Sequence, residues 1–159
     1  MKPALKIISG GQTGVDRAAL EWALTSGLPH GGWCPKGRKA EDGVIPPRFH
    51  LKETASNNYS IRTRRNVRDS GGTIIFSKSP SLRGGTQETF EFANEIRKPL
   101  LHLVSSADIN GAAMQLNAFL KENGISVLNV AGPRESEEPG LGRFVDAVLS
   151  RVLKSRVGE

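Results

Sequence analysis

The sequence predicts one α/β domain with three α/β/α layers and a mainly parallel sheet of about five strands. Short apolar runs alternate with amphipathic segments of helical length along the chain, a pattern typical of parallel sheets. Glycine-bearing turns follow several of these runs, as they do where a strand passes into a helix over a ligand. The 159 residues suffice for one domain with a sizeable core, so we expect a single domain over 1–159.

The first predicted unit is a strand at 5–9, a glycine turn and a helix over 13–26. Small apolar residues recur at helical spacing in this helix, so one face can lie close to a sheet. Gly27 is a plausible end of the helix, with Pro29 just beyond it. The turn itself has two interpretations: its free N–H groups bind an anion, or it is only a tight turn with Thr13 as a cap.

The segment 29–47 is rich in Gly and Pro, which permits little regular structure beyond a short strand over 30–33. One interpretation is a loop that covers a ligand, in which Lys36 and Arg38 meet an anion. The alternative is a solvated basic loop. The sequence favours the ligand-covering loop because a solvated loop has little need of a tryptophan and the only cysteine; Cys34 itself is more typical of buried filler than of a nucleophile.

After a polar connector at 51–56, the segment 58–69 predicts a helix that Ser56 or Asn58 caps. It carries four arginines within seven residues, and these repel one another unless anions or acids relieve them. These arginines are Arg62, Arg64, Arg65 and Arg68. The residues leave two alternatives open, an exposed basic face or one or two arginines directed at the same ligand as the first glycine turn.

The run 73–77 is the clearest buried strand, since it is β-branched, aromatic and uncharged. A second glycine pair, Gly84 and Gly85, leads into a helix predicted over 86–97. Thr86 with Thr89, or Gln87 and Glu88, can cap its start. Because the carboxyl ends of parallel strands face one crevice, the two glycine turns together predict one site for a phosphate-class ligand.

The second half of the chain completes the alternation. We predict strands at 100–104 and 125–130, and helices at 109–124 and 140–154, the former capped by Asp108. A third turn, containing Gly132 and Arg134, follows the last strand.

Composition narrows the class of partner. The net charge of +6 and the pI of about 9.8 favour anionic partners. The lone cysteine, the lack of room for a signal peptide and the lack of a long apolar run lead us to expect a soluble cytoplasmic protein without membrane contact. The three histidines are scattered and the cysteine has no partner, so we expect no protein-ligated metal. With six Phe, two Trp and one Tyr, nucleic-acid binding is the least favoured partner class.

Several stretches resemble the putative molybdenum carrier family, the circularly permuted YpsA group of the SLOG superfamily of Rossmann-like proteins. They are GGQTGVDR (10–17), GWCPKGR (32–38), AEDG (40–43), Arg62 and Thr63 with Asn66 and Val67, GGT (84–86) and NVAGPR (129–134). The resemblance covers nearly the whole chain. It implies a Rossmann-like fold, a nucleotide-type ligand over the glycine turns, and homodimers or higher homo-oligomers.

The superfamily also includes LOG-type cytokinin-activating phosphoribohydrolases, which the chain resembles in its arginine-bearing helix followed by a strand and a Gly-Gly…Thr turn. Those enzymes place a catalytic Glu three residues after the Thr, and this chain has Thr89 there. The departure weakens the hydrolase interpretation, in which Glu88 would act with Arg62 or Arg64.

The leading expectation is therefore the binding or carrying of a phosphate-bearing small molecule, either the molybdenum cofactor or a nucleotide derivative. The alternative is a nucleotide N-glycoside hydrolase. The first turn would hold one end of the ligand and Gly84, Gly85 and Thr86 the other. Cations would neutralise its charge, and Asp16 or Glu88 would accept from a ribose or pterin donor. The predicted binding residues are Gly10, Gly11, Gln12, Thr13, Gly14, Asp16, Arg17, Lys36, Arg38, Arg62, Gly84, Gly85, Thr86, Gly132 and Arg134.

Overall fold

The computed structural model describes residues 4–157, with five helices and nine strands in that part of the chain. The strands are β1 (Lys6–Ile8), β2 (His30–Gly31), β3 (Trp33–Cys34), β4 (Lys39–Ala40), β5 (Gly43–Val44), β6 (Lys52–Glu53), β7 (Gly72–Ser77), β8 (Leu100–Val104) and β9 (Val127–Ala131). The helices are α1 (Val15–Thr25), α2 (Tyr59–Arg68), α3 (Gly84–Glu95), α4 (Ile109–Glu122) and α5 (Gly142–Val157). The end of the predicted tail, at 158–159, lies outside the described residues.

The central sheet confirms the predicted fold class. Its order is β2-β1-β9-β7-β8, and every neighbouring pair is parallel. The predicted strand β7 lies inside the sheet and is buried along its whole length, which explains its uncharged, β-branched sequence.

The helices form the two outer layers. α5 packs against both α1 and α4, whereas α2 packs against α3. The crossover from β1 through α1 leads to β2 on one side, and the crossover from β7 through α3 leads to β8 on the other. Right-handed crossovers in opposite directions place α1 and α3 on opposite faces of the sheet. The main apolar core lies between the sheet and the layer of α1, α4 and α5.

The Gly- and Pro-rich segment after β2 has a small core of its own. Cys34, Ile45 and Phe49 are fully buried there and pack with Leu20 of α1. β4 and β5 form an antiparallel hairpin in this segment, and the connector strand β6 pairs with β3. Cys34 therefore serves packing, and burial raises the pKa of its thiol.

The helix ends agree only partly with the predictions. Asn58 and Asp108 cap α2 and α4, since each side chain accepts from a backbone N–H of the first turn. α1 begins after Gly14 and α3 after Arg83, and neither receives a side-chain cap bond, so the side-chain caps predicted for these two helices are wrong. Among the described helices, none has both the length and the apolar composition that a membrane crossing requires.

Candidate functional site

A cavity of about 560 Å³ opens where β1, β9 and β7 end, on the side of α2 and α3. These three strands are neighbours, and the crossovers from β1 and β7 leave in opposite directions, so the cavity lies at the switch point where open α/β sheets bind ligands. Its lining comprises Gly10, Gln12, Asp16, Lys39, Asn57, Asn58, Tyr59, Ser60, Arg62, Thr63, Asn66, Gly85, Thr86, Glu88, Thr89, Asn129, Val130, Ala131, Gly132, Arg134 and Glu137.

A buried ion pair lies at the inner side of this cavity. Arg62 Nη1 is 3.4 Å from Asp16 Oδ2 and donates to the carbonyl of Gly10 at 2.8 Å. Both residues are more than nine-tenths buried. Burial raises the pKa of Asp16, and the positive charge of Arg62 opposes that rise. Arg62 Nη2 makes none of the hydrogen bonds within residues 4–157, so the guanidinium retains a donor for a ligand.

Gly10 is required by this arginine rather than by a ligand. A Cβ built on Gly10 would lie 1.9 Å from Arg62 Nη1 and 2.8 Å from its Cζ. The guanidinium therefore fills the space that any side chain would take. Gly132 is similarly enclosed, because its Cβ would lie 2.5 Å from the carbonyl oxygen of Phe76. Both glycines belong to the site through close packing.

Two N–H donors of the first glycine turn already have partners in the protein. The N–H of Gln12 donates to Asp16, and the N–H of Thr13 donates to the side-chain oxygen of Gln12. The carboxylate of Glu41 accepts from the hydroxyl of Thr13 and from the N–H and hydroxyl of Ser136. These hydroxyl bonds lower the pKa of Glu41. A carboxylate of the hairpin thus stands where the sequence led us to expect a ligand anion.

The second glycine turn is open. Gly84 and Gly85 form the first turn of α3 instead of preceding it, and Thr86 follows them. The N–H groups of these three residues make no hydrogen bond in the described part of the chain. Gly85 and Thr86 line the cavity, so unpaired donors at the positive end of a helix face it.

Three cations gather around one aromatic ring at the cavity. Lys39 Nζ lies 4.8 Å from the centroid of the Tyr59 ring, Arg62 Cζ lies 5.3 Å from it, and Arg134 Cζ lies 5.9 Å from it. Arg134 also bonds Glu137 at 3.0 Å. The hairpin, α2 and the loop after β9 each contribute one or more of these residues, so three separate segments meet at Tyr59.

The carboxylates of the lining balance its cations. Glu88 accepts from the hydroxyl of Ser60 at 2.8 Å and pairs with Arg64 at 3.4 Å. With Asp16 and Glu137, it gives the lining three acidic groups beside the three cations. Such a mixture suits a ligand that bears both an anionic group and hydrogen-bond donors. Within residues 4–157, no cluster of three or more His, Cys, Asp or Glu side chains is arranged to hold a metal ion.

The structure brings about half of the predicted site residues to the cavity lining: Gly10, Gln12, Asp16, Arg62, Gly85, Thr86, Glu88, Gly132 and Arg134. The others have different surroundings. Arg38 donates to the carbonyls of Ile45, Pro46 and Phe49 and so holds its own loop together. Arg17 pairs with Asp42. The remaining predicted residues outside the lining are Gly11, Thr13, Gly14, Lys36, Arg64 and Gly84.

Sequence reasoning missed three lining residues with distinctive chemistry. Lys39 comes from the basic loop, but three residues after the predicted Lys36. Tyr59 begins α2, and its place in a helical pattern gives no sign of a contact with the cavity. Asn129 is buried in β9; its amide donates to Thr73 Oγ1, and its oxygen has no partner in the described chain. A polar residue inside an otherwise apolar strand was the available signal for Asn129.

Comparisons with known proteins agree with this architecture. The model of the circularly permutated YpsA SLOG family matches residues 7–153. The chain belongs to that family. It is also similar to a crystal structure, at 1.45 Å resolution, of a putative molybdenum carrier protein from Syntrophus aciditrophicus. The two are 44% identical, with a TM-score of 0.91, and the match covers 96% of this chain and 98% of that one. No curated protein matches the chain.

The family match spans both the sheet and the cavity residues, from β1 to α5. Membership confirms the resemblance stated from the sequence. It also supports a ligand-binding role in general for the crevice at the strand ends, because this is where Rossmann-like sheets bind their ligands.

Proposed function

We propose that the cavity binds a phosphate-bearing small molecule, either a nucleotide derivative or the molybdenum cofactor. The observation that carries the proposal is the open amino end of α3. The unpaired N–H groups of Gly85 and Thr86 share the cavity with Lys39, Arg134 and the unpaired nitrogen of Arg62. A phosphate at a helix start accepts several backbone hydrogen bonds and is stabilised further by the cations.

The first glycine turn has a supporting role in this proposal. The N–H groups of Gln12 and Thr13 donate to the side chains of Asp16 and Gln12 instead of to the phosphate. Asp16 and Glu88 then accept from hydroxyl or N–H groups elsewhere on the ligand. A molybdenum cofactor would be held through its phosphate by the same donors, with no protein-ligated metal required.

The test is isothermal titration of the protein with adenosine 5′-monophosphate and with a phosphorylated pterin. Lys39→Ala should weaken binding about tenfold or more, because a charge-assisted hydrogen bond contributes about 1.5–3 kcal/mol. Lys36→Ala is the matched control, since this lysine is exposed, lies in the same loop and is outside the lining. Absence of binding by both ligands, or an equal effect of the two variants, would contradict the proposal.

A second candidate, a nucleotide N-glycoside hydrolase, is favoured by one observation. Glu88 lines the cavity next to Thr89 and is held by Ser60 and Arg64, so a fixed carboxylate is available near a bound ribose. In this reaction Glu88 would guide a water while Arg62 held the phosphate. Release of free base from a nucleoside monophosphate, abolished by Glu88→Gln, would support it. No release at high enzyme concentration would exclude it for the nucleotides tested.

A further inference from the structure

Tyr59 is the one aromatic side chain among the described residues that line the cavity. It is half-buried at the start of α2, and its hydroxyl makes no hydrogen bond in the described chain. A half-buried tyrosine that held its neighbours by structure alone would usually bond its hydroxyl to one of them. The ring is held instead by the cations around it, at 4.8 to 5.9 Å from its centroid.

These cations differ in how firmly they are held. Arg62 is buried and bonded to Gly10 and Asp16, and Arg134 bonds Glu137. Lys39 is exposed and pairs with no carboxylate in residues 4–157, so the face of the Tyr59 ring is its contact. A phosphate attracts an ammonium group more strongly than an aromatic ring does. A phosphate at the start of α3 would therefore draw Lys39 away from the ring and leave only the two held arginines beside it.

Trp33 provides a comparison within the same chain. Arg65 and Lys52 lie over its ring at 4.7 and 5.7 Å. Its indole nitrogen, however, donates to Asp69 at 2.8 Å, and the residue lies outside the cavity lining. Trp33 is thus fixed by a hydrogen bond at the protein surface, whereas Tyr59 has no such bond and its ring borders a ligand-sized space.

We propose that the ligand carries a planar heteroaromatic ring as well as its phosphate, and that Tyr59 is the residue on which this ring stacks. This inference rests on the proposed function. It deepens that function because a nucleotide and a pterin both supply such a ring, whereas a bare oxyanion or a sugar phosphate does not. Stacking on an aromatic side chain recognises the flat face of the ring. Asn129 and Gln12 also line the cavity, and the side-chain oxygen of Asn129 has no partner in the described chain. Their amides are available to form hydrogen bonds with the polar edge of the ligand ring.

The experiment compares three probes by isothermal titration. Adenosine 5′-monophosphate and 6-hydroxymethylpterin phosphate carry a ring, and ribose 5-phosphate does not. Tyr59→Leu removes the aromatic ring and keeps an apolar side chain, whereas Tyr59→Phe keeps the ring and removes the hydroxyl. The melting temperature of each variant reports whether it folds.

We expect at least one ring-bearing probe to bind the wild type more tightly than ribose 5-phosphate does. Whichever of the two ring-bearing probes binds more tightly indicates whether the ligand ring is a nucleobase or a pterin. Tyr59→Leu should weaken that probe by about 5- to 100-fold, the range that loss of base stacking produces. It should leave ribose 5-phosphate unchanged, and Tyr59→Phe should retain the wild-type preference.

Two results would overturn the inference while leaving phosphate binding intact. The first is equal affinity for all three probes, and the second is a Tyr59→Leu variant that binds the ring-bearing probes as the wild type does. If Tyr59→Leu weakens all three probes equally, the ring only shapes the phosphate site, and the inference also fails. Absence of binding by every probe to the wild type would overturn the proposed function itself.

Discussion

Arg62→Met tests the buried ion pair that organises the cavity. The substitution keeps an unbranched apolar side chain but removes the cation beside Asp16 and the bond to the Gly10 carbonyl. Both members of the pair are more than nine-tenths buried, so solvent screens them little. Removing one partner of such a pair costs about 3–5 kcal/mol, because the other charge stays buried and uncompensated. For a domain of this size, that lowers the melting temperature by about 6–20 °C.

The pH dependence of this loss follows from the carboxylate left behind. Burial already raises the pKa of Asp16 above its unfolded value, and the charge of Arg62 opposes that rise. Without the cation, the folded-state pKa rises further. The folded variant then holds a proton that the unfolded chain releases, so its stability falls as the pH rises from the usual carboxyl value towards neutrality. Below that value Asp16 is protonated in both states, and only the cost of the lost hydrogen bonds remains.

The assay is chemical denaturation of wild type and variant across acidic and neutral pH. Arg64→Met is the matched control on the same helix, because Arg64 is largely exposed and should cost no more than about 1 kcal/mol. In the double variant with Asp16→Asn, much of the stability lost at neutral pH should return. A difference below about 1 kcal/mol between wild type and Arg62→Met, or one independent of pH, would refute the buried-pair reasoning.

Three further predictions concern other parts of the structure. Gly10→Ala should lower the unfolding free energy by more than about 1 kcal/mol, because the new Cβ would overlap the Arg62 guanidinium. Gly85→Ala is the control: no atom lies within 4 Å of its Cβ position, so the unfolding free energy should change by less than about 1 kcal/mol. The lowered pKa of Glu41 implies that its bonds persist above the usual carboxyl pKa and are lost as the pH falls through the folded value. The protection factors of the amides in the 39–44 hairpin, measured against the intrinsic exchange rate at each pH, should then fall in acid, and Glu41→Gln should show low protection at every pH. Buried Cys34, with its raised pKa, should react with a thiol reagent only after unfolding, and prompt native-state labelling would contradict its burial.

The sheet and the helices could be predicted from sequence because each depends on a local pattern. β7 shows this most clearly, since burial on both faces requires its run of apolar residues. The glycine turns were also visible, because backbone turns and close approaches favour glycine. Their location at one edge followed from parallel strands alone.

The partners of individual polar groups could not be predicted in the same way. The sequence does not show that Glu41, at the tip of a hairpin, accepts hydrogen bonds from the hydroxyls of Thr13 and Ser136, because these contacts join distant segments of the chain. Nor does it distinguish Lys36 from Lys39, since hairpin geometry decides which lysine reaches the cavity. Arg38 donates to carbonyls of its own loop rather than to an anion, and the path of that loop, which brings the carbonyls of Pro46 and Phe49 to it, is not visible in the sequence.

The proposed function requires that a ligand phosphate binds at the open start of α3. Two-dimensional ¹H–¹⁵N NMR during titration with adenosine 5′-monophosphate or 6-hydroxymethylpterin phosphate tests it directly. We predict that the amide signals of Gly84, Gly85 and Thr86 shift in a saturable manner, with smaller changes at Gly11 and Gly14. Shifts confined to the first glycine turn, or the absence of saturable shifts with both ligands, would contradict the claim.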